Sequence, residues 1–224
     1  MKKLKKFSVL AVFVLLAASL NLVHAQTNSD PVIAVEPTAM NVLYLGVDNP
    51  VTIAVAGVPA SELKVAVSHG IIKGNTGNYE VRPGKTGNLT FTIAHGEKRL
   101  GTKEFRVLAV PDPVTVLRGA GGSHMMKAGK ETMPKSKLVQ LKSLGADLHD
   151  FLFDVEFKVI SFQMSTEMNG MSKILTSEDA NITREMQGQI SSAMPGQTII
   201  FEEIKAIGPD GKTRTLQPVK VKVM

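Results

Sequence analysis

The chain of 224 residues contains no cysteine and no tryptophan, and only two tyrosines. Without cysteine there are no disulfides, no thiolate metal sites, no cysteine nucleophile and no cysteine for N-terminal lipidation. The fold must therefore rest on core burial alone. The shortage of Trp and Tyr argues against large aromatic binding platforms. Charge of one sign is scarce too, once its position is considered. The net charge is +6, but Lys2, Lys3, Lys5 and Lys6 supply four of the 26 Lys and Arg. The remainder carries 22 such residues against 20 Asp and Glu, about +2, ordinary for a soluble domain. No long basic helix or arginine cluster marks a nucleic-acid site.

The four lysines open a secretory leader. The apolar run Phe7–Val23 follows them, and Val23-His24-Ala25 places small residues before Gln26. This order of charged head, greasy middle and small-residue site predicts cleavage between Ala25 and Gln26, leaving an exported chain without stable membrane insertion. The alternative is an uncleaved anchor, for which the run is at the short end of bilayer-spanning length.

Residues 26–110 read as short strands of a small immunoglobulin-like β-sandwich. Val51, Ile53 and Val55 alternate with small or polar residues, as do Leu63, Val65 and Val67, then Leu89, Phe91 and Ile93, and finally Phe105 and Val107. Asp48-Asn49-Pro50, Gly57-Val58-Pro59, Gly74-Asn75-Thr76-Gly77 and Arg82-Pro83-Gly84 punctuate them. Residues 111–122 read as a linker, stiff at Pro111-Asp112-Pro113 and flexible at Gly119–Gly122.

Residues 123–224 change rhythm and predict an antiparallel β module with two short helices, so the fold class is mainly β with an α+β second half. Ser136 is placed to cap a helix carrying Leu138, Leu141 and Leu144, with Gly145 as its stop. A long strand is expected from Phe151 through Val159, its charged face carrying Asp154, Glu156 and Lys158. Asn169-Gly170 signals a hairpin. Thr183 caps a second helix bearing Met186, Ile190 and Met194, stopped at Pro195-Gly196. The chain ends in a hairpin, Thr198–Ile207 and Thr213–Val223, joined by Pro209-Asp210-Gly211.

Chemical motifs are wanting. The histidines (His24, His69, His95, His124 and His149) stand apart, without paired spacing. His149 between Asp147 and Asp150 lacks a third convergent ligand and reads as an exposed corner. Asp154 and Glu156 share a strand face, as an acid–base pair would, yet alternation already explains them as a solvated face. No GxSxG elbow occurs, and Gly119-Ala120-Gly121-Gly122 lacks the Lys-Ser/Thr end of a phosphate loop. Asn88-Leu89-Thr90 and Asn181-Ile182-Thr183 match a glycosylation pattern but also suit a strand start and a helix cap. No catalytic, cofactor-binding or metal residue is assigned. Met125, Met126 and Met133, flanking the glycines, are the candidate partner contacts; Met164, Met168, Met171, Met186 and Met194 read as core.

One resemblance spans nearly all of the chain beyond the leader. Glu36-Pro37-Thr38-Ala39-Met40-Asn41-Val42-Leu43-Tyr44-Leu45-Gly46-Val47-Asp48-Asn49-Pro50 resembles the opening of the C-terminal region of the GldM/PorM family. Arg82-Pro83, Glu104-Phe105-Arg106-Val107, Val110-Pro111-Asp112-Pro113, Asp154-Val155 through Phe162, Ile204-Lys205-Ala206 and Gly208-Pro209-Asp210-Gly211 follow in order. The resemblance implies two periplasmic shaft modules of the gliding-motility and type IX secretion machinery. It also implies protein partners in place of substrates, GldK/GldN-like ring components or GldM itself, and a homodimer. For pairing, the open edges offered are the terminal hairpin and the strand from Phe151 to Phe162. With a leader where the family has a membrane helix, the expectation is a truncated, stand-alone relative, accessory to or competing with the full-length protein. A membrane-anchored subunit of the same machinery and a generic exported β-sandwich binding module are the alternatives.

Overall fold

Period-two burial builds the first module. The computed structural model describes residues 40–119, 122–125, 130–168 and 171–224. The expected leader, with Ala25 and Gln26, lies outside them. Strands β1 (Val42–Tyr44), β2 (Asn49–Thr52), β3 (Leu63–Val67), β4 (Ile71–Asn75), β5 (Asn78–Arg82), β6 (Gly87–His95) and β7 (Lys98–Leu108) form two sheets, ordered β1-β7-β6-β3 and β2-β5-β4. Leu43, Leu45, Leu89, Phe91 and Val107 from the first sheet and its loops meet Val81 from the second, which makes the sandwich core. β1 runs parallel to β7, so the first strand leaves along the edge of the last. The strand expected over Val51–Val55 ends earlier, because a bridge between Val55 and Val58 turns the chain there.

The second module begins sooner than the linker reading allows. Among the described residues of the expected linker, 111–113 lack regular structure, and β8 (Val114–Gly119) is already a strand paired with β9 (Gly122–Met125), Gly119 opposite Gly122. β10 (Lys130–Met133) and helix α1 (Lys135–Leu138) follow. The helix expected to carry Leu138, Leu141 and Leu144 stops after Leu138, and Pro134 rather than Ser136 stands at its N-cap. Leu141 and Leu144 belong to β11 (Leu141–Asp147), with Gly145 inside the strand. A bulge between Leu141 and Ser143 reverses the strand's parity, so both leucines face inward at a spacing that imitates a helix.

β12 (Lys158–Met168) and β13 (Met171–Ser177) pair with Met168 opposite Met171; the expected turn, Asn169-Gly170, lies outside the described residues. Helix α2 (Arg184–Ser192) is capped as expected: the Thr183 hydroxyl accepts from the Met186 N–H at 3.2 Å. Met186 and Ile190 are buried, but Met194 falls beyond the helix and is exposed. β14 (Thr198–Ile207), β15 (Thr213–Thr215) and β16 (Val219–Val223) form the terminal hairpin. Val219, Val221 and Val223 are buried while Lys220 and Lys222 face out.

The larger sheet has the order β10-β16-β14-β12-β13, with β15 on β14; β11-β8-β9 forms a smaller one. Among the described residues the edges of the larger sheet are β10, β13 and the short β15, which pairs β14 alone. β12, β14 and β16 each have neighbours on both sides, so the strand reaching Phe162 is not the open edge expected of it, and of the terminal hairpin only β15 stays open.

Candidate functional site: the seam between the modules

Alternation from Phe151 to Glu156 survives without a ladder. β12 starts only at Lys158; ahead of it Phe157 makes a single bridge to Ala146, and residues 151–156 belong to no strand and bend at Leu152 and Phe153, with Phe151, Phe153 and Val155 half-buried and Leu152, Asp154 and Glu156 exposed. This segment follows Asp150, whose φ of 54° turns the chain. Its greasy side meets the first module: the Tyr44 ring lies edge-on to Phe151 at 4.8 Å and to Phe153 at 5.5 Å. Such pairs contribute about 0.5–1.5 kcal/mol each beyond their area.

The loop from Tyr44 to Asn49 is shaped for this contact. Asn49 is buried, and its side chain substitutes for a missing ladder. Its Oδ1 accepts from the Tyr44 N–H at 2.8 Å, while Nδ2 donates to the carbonyls of Tyr44 (2.9 Å), Val47 (2.8 Å) and Val81 (3.0 Å). Held this way, successive apolar residues serve different cores. Leu45 packs into the first module, while Val47 joins the core of the second, together with Val110. Each buried valine adds about 1.5–3 kcal/mol. Between them Gly46 has a φ of +74°, and a Cβ there would lie 2.6 Å from the Pro209 carbonyl oxygen and 2.8 Å from the Asp210 Cα. Only glycine suits both the backbone and the approach.

The turn that receives Gly46 is locked from behind. Arg214 on β15 donates Nη2 to Asp210 Oδ2 and Nε to Asp112 Oδ1, both at 2.9 Å, and its guanidinium stands 5.2 Å from the Phe157 ring centroid. The Asp210 side chain is 0% exposed and that of Asp112 81%. The hydrogen bond from Arg214 holds the Asp210 carboxyl below the usual carboxylate range, against the opposing effect of burial, and Asp210 in turn raises the guanidinium. Turn, connector and core are thereby joined through one side chain. Gly208 leaves the room it needs, since a Cβ there would lie 2.5 Å from Arg214 Nη1.

A cleft of about 300 Å³ opens at the seam, lined by Gly46, Val47, Arg82, Phe153, Asp154, Val155, Glu156 and Pro209, with Asp48 paired to Arg82 at 2.7 Å on its rim. Asp154 and Glu156 thus line an open cleft with exposed side chains. Asp147 is engaged by Arg118, and His149 is exposed. Among the described residues no three His, Asp or Glu side chains are grouped to hold a metal ion. The Asn181 N–H donates to Asp179 Oδ1 at 2.6 Å, and this bond, with a second from Asn181 Nδ2 at 2.9 Å, lowers the Asp179 carboxyl. Of the candidate partner contacts, Met133 is 7% exposed and packs in the second core. Met126 lies outside the described residues, and Met125 is placed on β9 by its backbone alone. Among the described residues no helix is long and apolar enough to cross a membrane.

Asn49, Arg214 and Asp112 went unnoticed as site residues in the sequence. Their signals were an asparagine before proline, one arginine in a short strand, and an aspartate between two prolines.

Comparison with known proteins reads the two halves separately. Residues 32–108 match the GldM third domain, and residues 111–224 match the GldM C-terminal domain. The chain belongs to the GldM family. Domains of this family are structural components of the gliding-motility and secretion machinery. The seam loop and the turn facing it fall in different family domains, so the seam is where the GldM third and C-terminal domains meet. Comparison with curated proteins found no match. Among solved structures, domains 4 and 5 of the S-layer protein SbsC resemble the chain at 16% identity, over 76% of this chain and 74% of that one. The TM-score of 0.26 is too low for that likeness to carry weight.

Proposed function

We propose that this chain is a noncatalytic, exported interaction protein of the periplasm, in which two GldM-type modules locked at their seam couple protein neighbours of the gliding and type IX secretion machinery by contact. The seam carries the reading. Domains joined in one chain move relative to one another by default unless their interface is apolar and substantial. Here Tyr44, Val47, Val110, Phe151 and Phe153 together contribute several kcal/mol, and an ion-paired arginine braces the turn beside them. A body of that kind transmits a push or a tilt from one end to the other.

The partners proposed are GldK/GldN-like ring components or GldM itself, with no role for nucleic acid or a cofactor. Crosslinking in the native cell, followed by identification of the attached chain, tests this. Recovery of a component of that machinery supports it, and repeated recovery of none refutes it. The apolar run Phe7–Val23 favours a second reading, a subunit anchored by an uncleaved leader. N-terminal sequencing separates the two: Gln26 as first residue means export and release, Met1 means an anchor.

A further inference from the structure

Among the described residues of the first module, every strand pairing is antiparallel except one. β1 runs parallel to β7, with Val42 beside Arg106, Leu43 beside Val107 and Tyr44 beside Leu108. Both strands therefore head the same way, and both continue into the second module. The first leads to Val47 and the second to Val110, each buried in that module's core. Bonds beyond the ladder close the pair at both ends. The Arg106 N–H donates to the Asn41 carbonyl at 3.0 Å, and Asn41 Nδ2 donates to the Glu104 carbonyl. At the other end the Leu45 N–H donates to the Leu108 carbonyl at 2.9 Å. Leu43 and Val107, 4% and 1% exposed, pin the pair to the sandwich core beneath.

How such a ladder yields depends on the direction of pull. Tension that slides one strand along its neighbour strains every cross-strand bond together, so they fail together. Tension at the open mouth of an antiparallel hairpin strains one pair at a time and peels the strands apart. Met40 and Leu108 lie at opposite ends of the β1–β7 pair, so a pull between them is of the first kind. Lys85 and Leu108 flank the open mouth of the β6–β7 hairpin, where Gly87 is opposite Val107, so a pull between them is of the second. A neighbour that grips the chain ahead of Met40 and draws it away from the second module pulls along β1. For β1 to slide, its bonds to β7 must part and Val47 must leave the second core at the same moment.

We propose that β1 and β7 form a clasp that carries tension, in shear, from the chain ahead of Met40 into the second module. The clasp rests on the coupling role given above and adds to it a direction, pull along the strands, and the bonds that resist it. Asn41 is the outermost of these, holding β7 through both its carbonyl and its side chain. The far end of β7 is fixed by Val110 in the second core and by Asp112, which accepts from Arg214.

Optical tweezers on the protein purified after export test this, with DNA handles on paired cysteines, since no native thiol competes. One variant carries Met40→Cys and Leu108→Cys, the other Lys85→Cys and Leu108→Cys; all three positions are exposed. The two ruptures are told apart by the length of chain they free, about 240 Å against about 80 Å. That length also shows that the module was folded beforehand. The force expected between Met40 and Leu108 is about twofold or more higher, because the bonds there break together. Adding Asn41→Ala is expected to make that rupture about two- to tenfold faster at a given force and to leave the Lys85–Leu108 rupture unchanged. Equal forces along the two directions overturn the proposal. So does an Asn41→Ala effect that is absent from the first rupture or shared by the second. No partner enters the measurement, so the crosslinking result stands or falls separately.

Discussion

Replacing Gly46 with alanine perturbs the seam at one atom, and a second glycine supplies the control. Gly46 and Gly57 have nearly the same backbone, φ +74° and +75°, but a Cβ on Gly57 meets nothing within 4 Å. Holding an L-residue in that region costs about 1–2 kcal/mol, so Gly57→Ala measures the conformational term alone. Gly46→Ala adds a collision with backbone atoms of Pro209 and Asp210 that no side-chain rotation relieves. Relief requires the loop and the turn to separate, which loosens the two edge-to-face contacts of Tyr44, about 0.5–1.5 kcal/mol each. The total for Gly46→Ala is then about 2–5 kcal/mol. For a chain of this size that lowers Tm by roughly 5–15 °C, against a few degrees for Gly57→Ala. Differential scanning calorimetry of both variants gives the comparison, and limited proteolysis between residues 108 and 114 reports loosening of the connector. Equal losses in the two variants, with unchanged proteolysis, refute the claim that the seam carries energy.

Other substitutions probe the brace and the core. Arg214→Ala strands the Asp210 carboxylate, which has no exposed surface, and is expected to cost about 3–5 kcal/mol in urea unfolding; Asp112→Ala, removing a partner that is 81% exposed, costs under about 1 kcal/mol. Because the folded-state pKa of Asp210 is lowered, the unfolded chain binds more protons in acid. The contribution of Asp210 is therefore complete above the ordinary carboxylate pKa of about 4 and is lost as pH falls through the folded value. Unfolding measured from neutral pH downward is expected to show that loss, with a shallower acid slope in Asp210→Asn. The Thr166 hydroxyl is buried with no hydrogen-bond partner among the described residues, so Thr166→Val is expected to stabilise the protein by about 1 kcal/mol, read as a rise in Tm; a fall in Tm means that the hydroxyl is satisfied.

What the sequence revealed, and what it hid, follows from the range of each signal. Alternation is a local property, so Val219, Val221 and Val223 against Lys220 and Lys222 were readable at once, as was the Thr183 cap. The alternation of Phe151, Phe153 and Val155 was just as legible, but not what covers it: the partner of the two phenylalanines is Tyr44, more than a hundred residues earlier. Leu138, Leu141 and Leu144 misled because a bulge, invisible to pattern, restored inward facing at a helical spacing. The brace was hidden for a related reason. Asp112 and Arg214 are separated by 102 residues, and only the closing of β14 on β15 brings them together.

The central claim is that the modules form one rigid body. Since the chain has no cysteine, spin labels can be placed at Lys73→Cys and Lys220→Cys, exposed sites in different modules, without removing any native thiol. Pulsed electron spin resonance then gives the distance distribution between the modules. A single narrow peak in the parent, broadened by Gly46→Ala, is the expected result; a broad distribution in the parent contradicts the account.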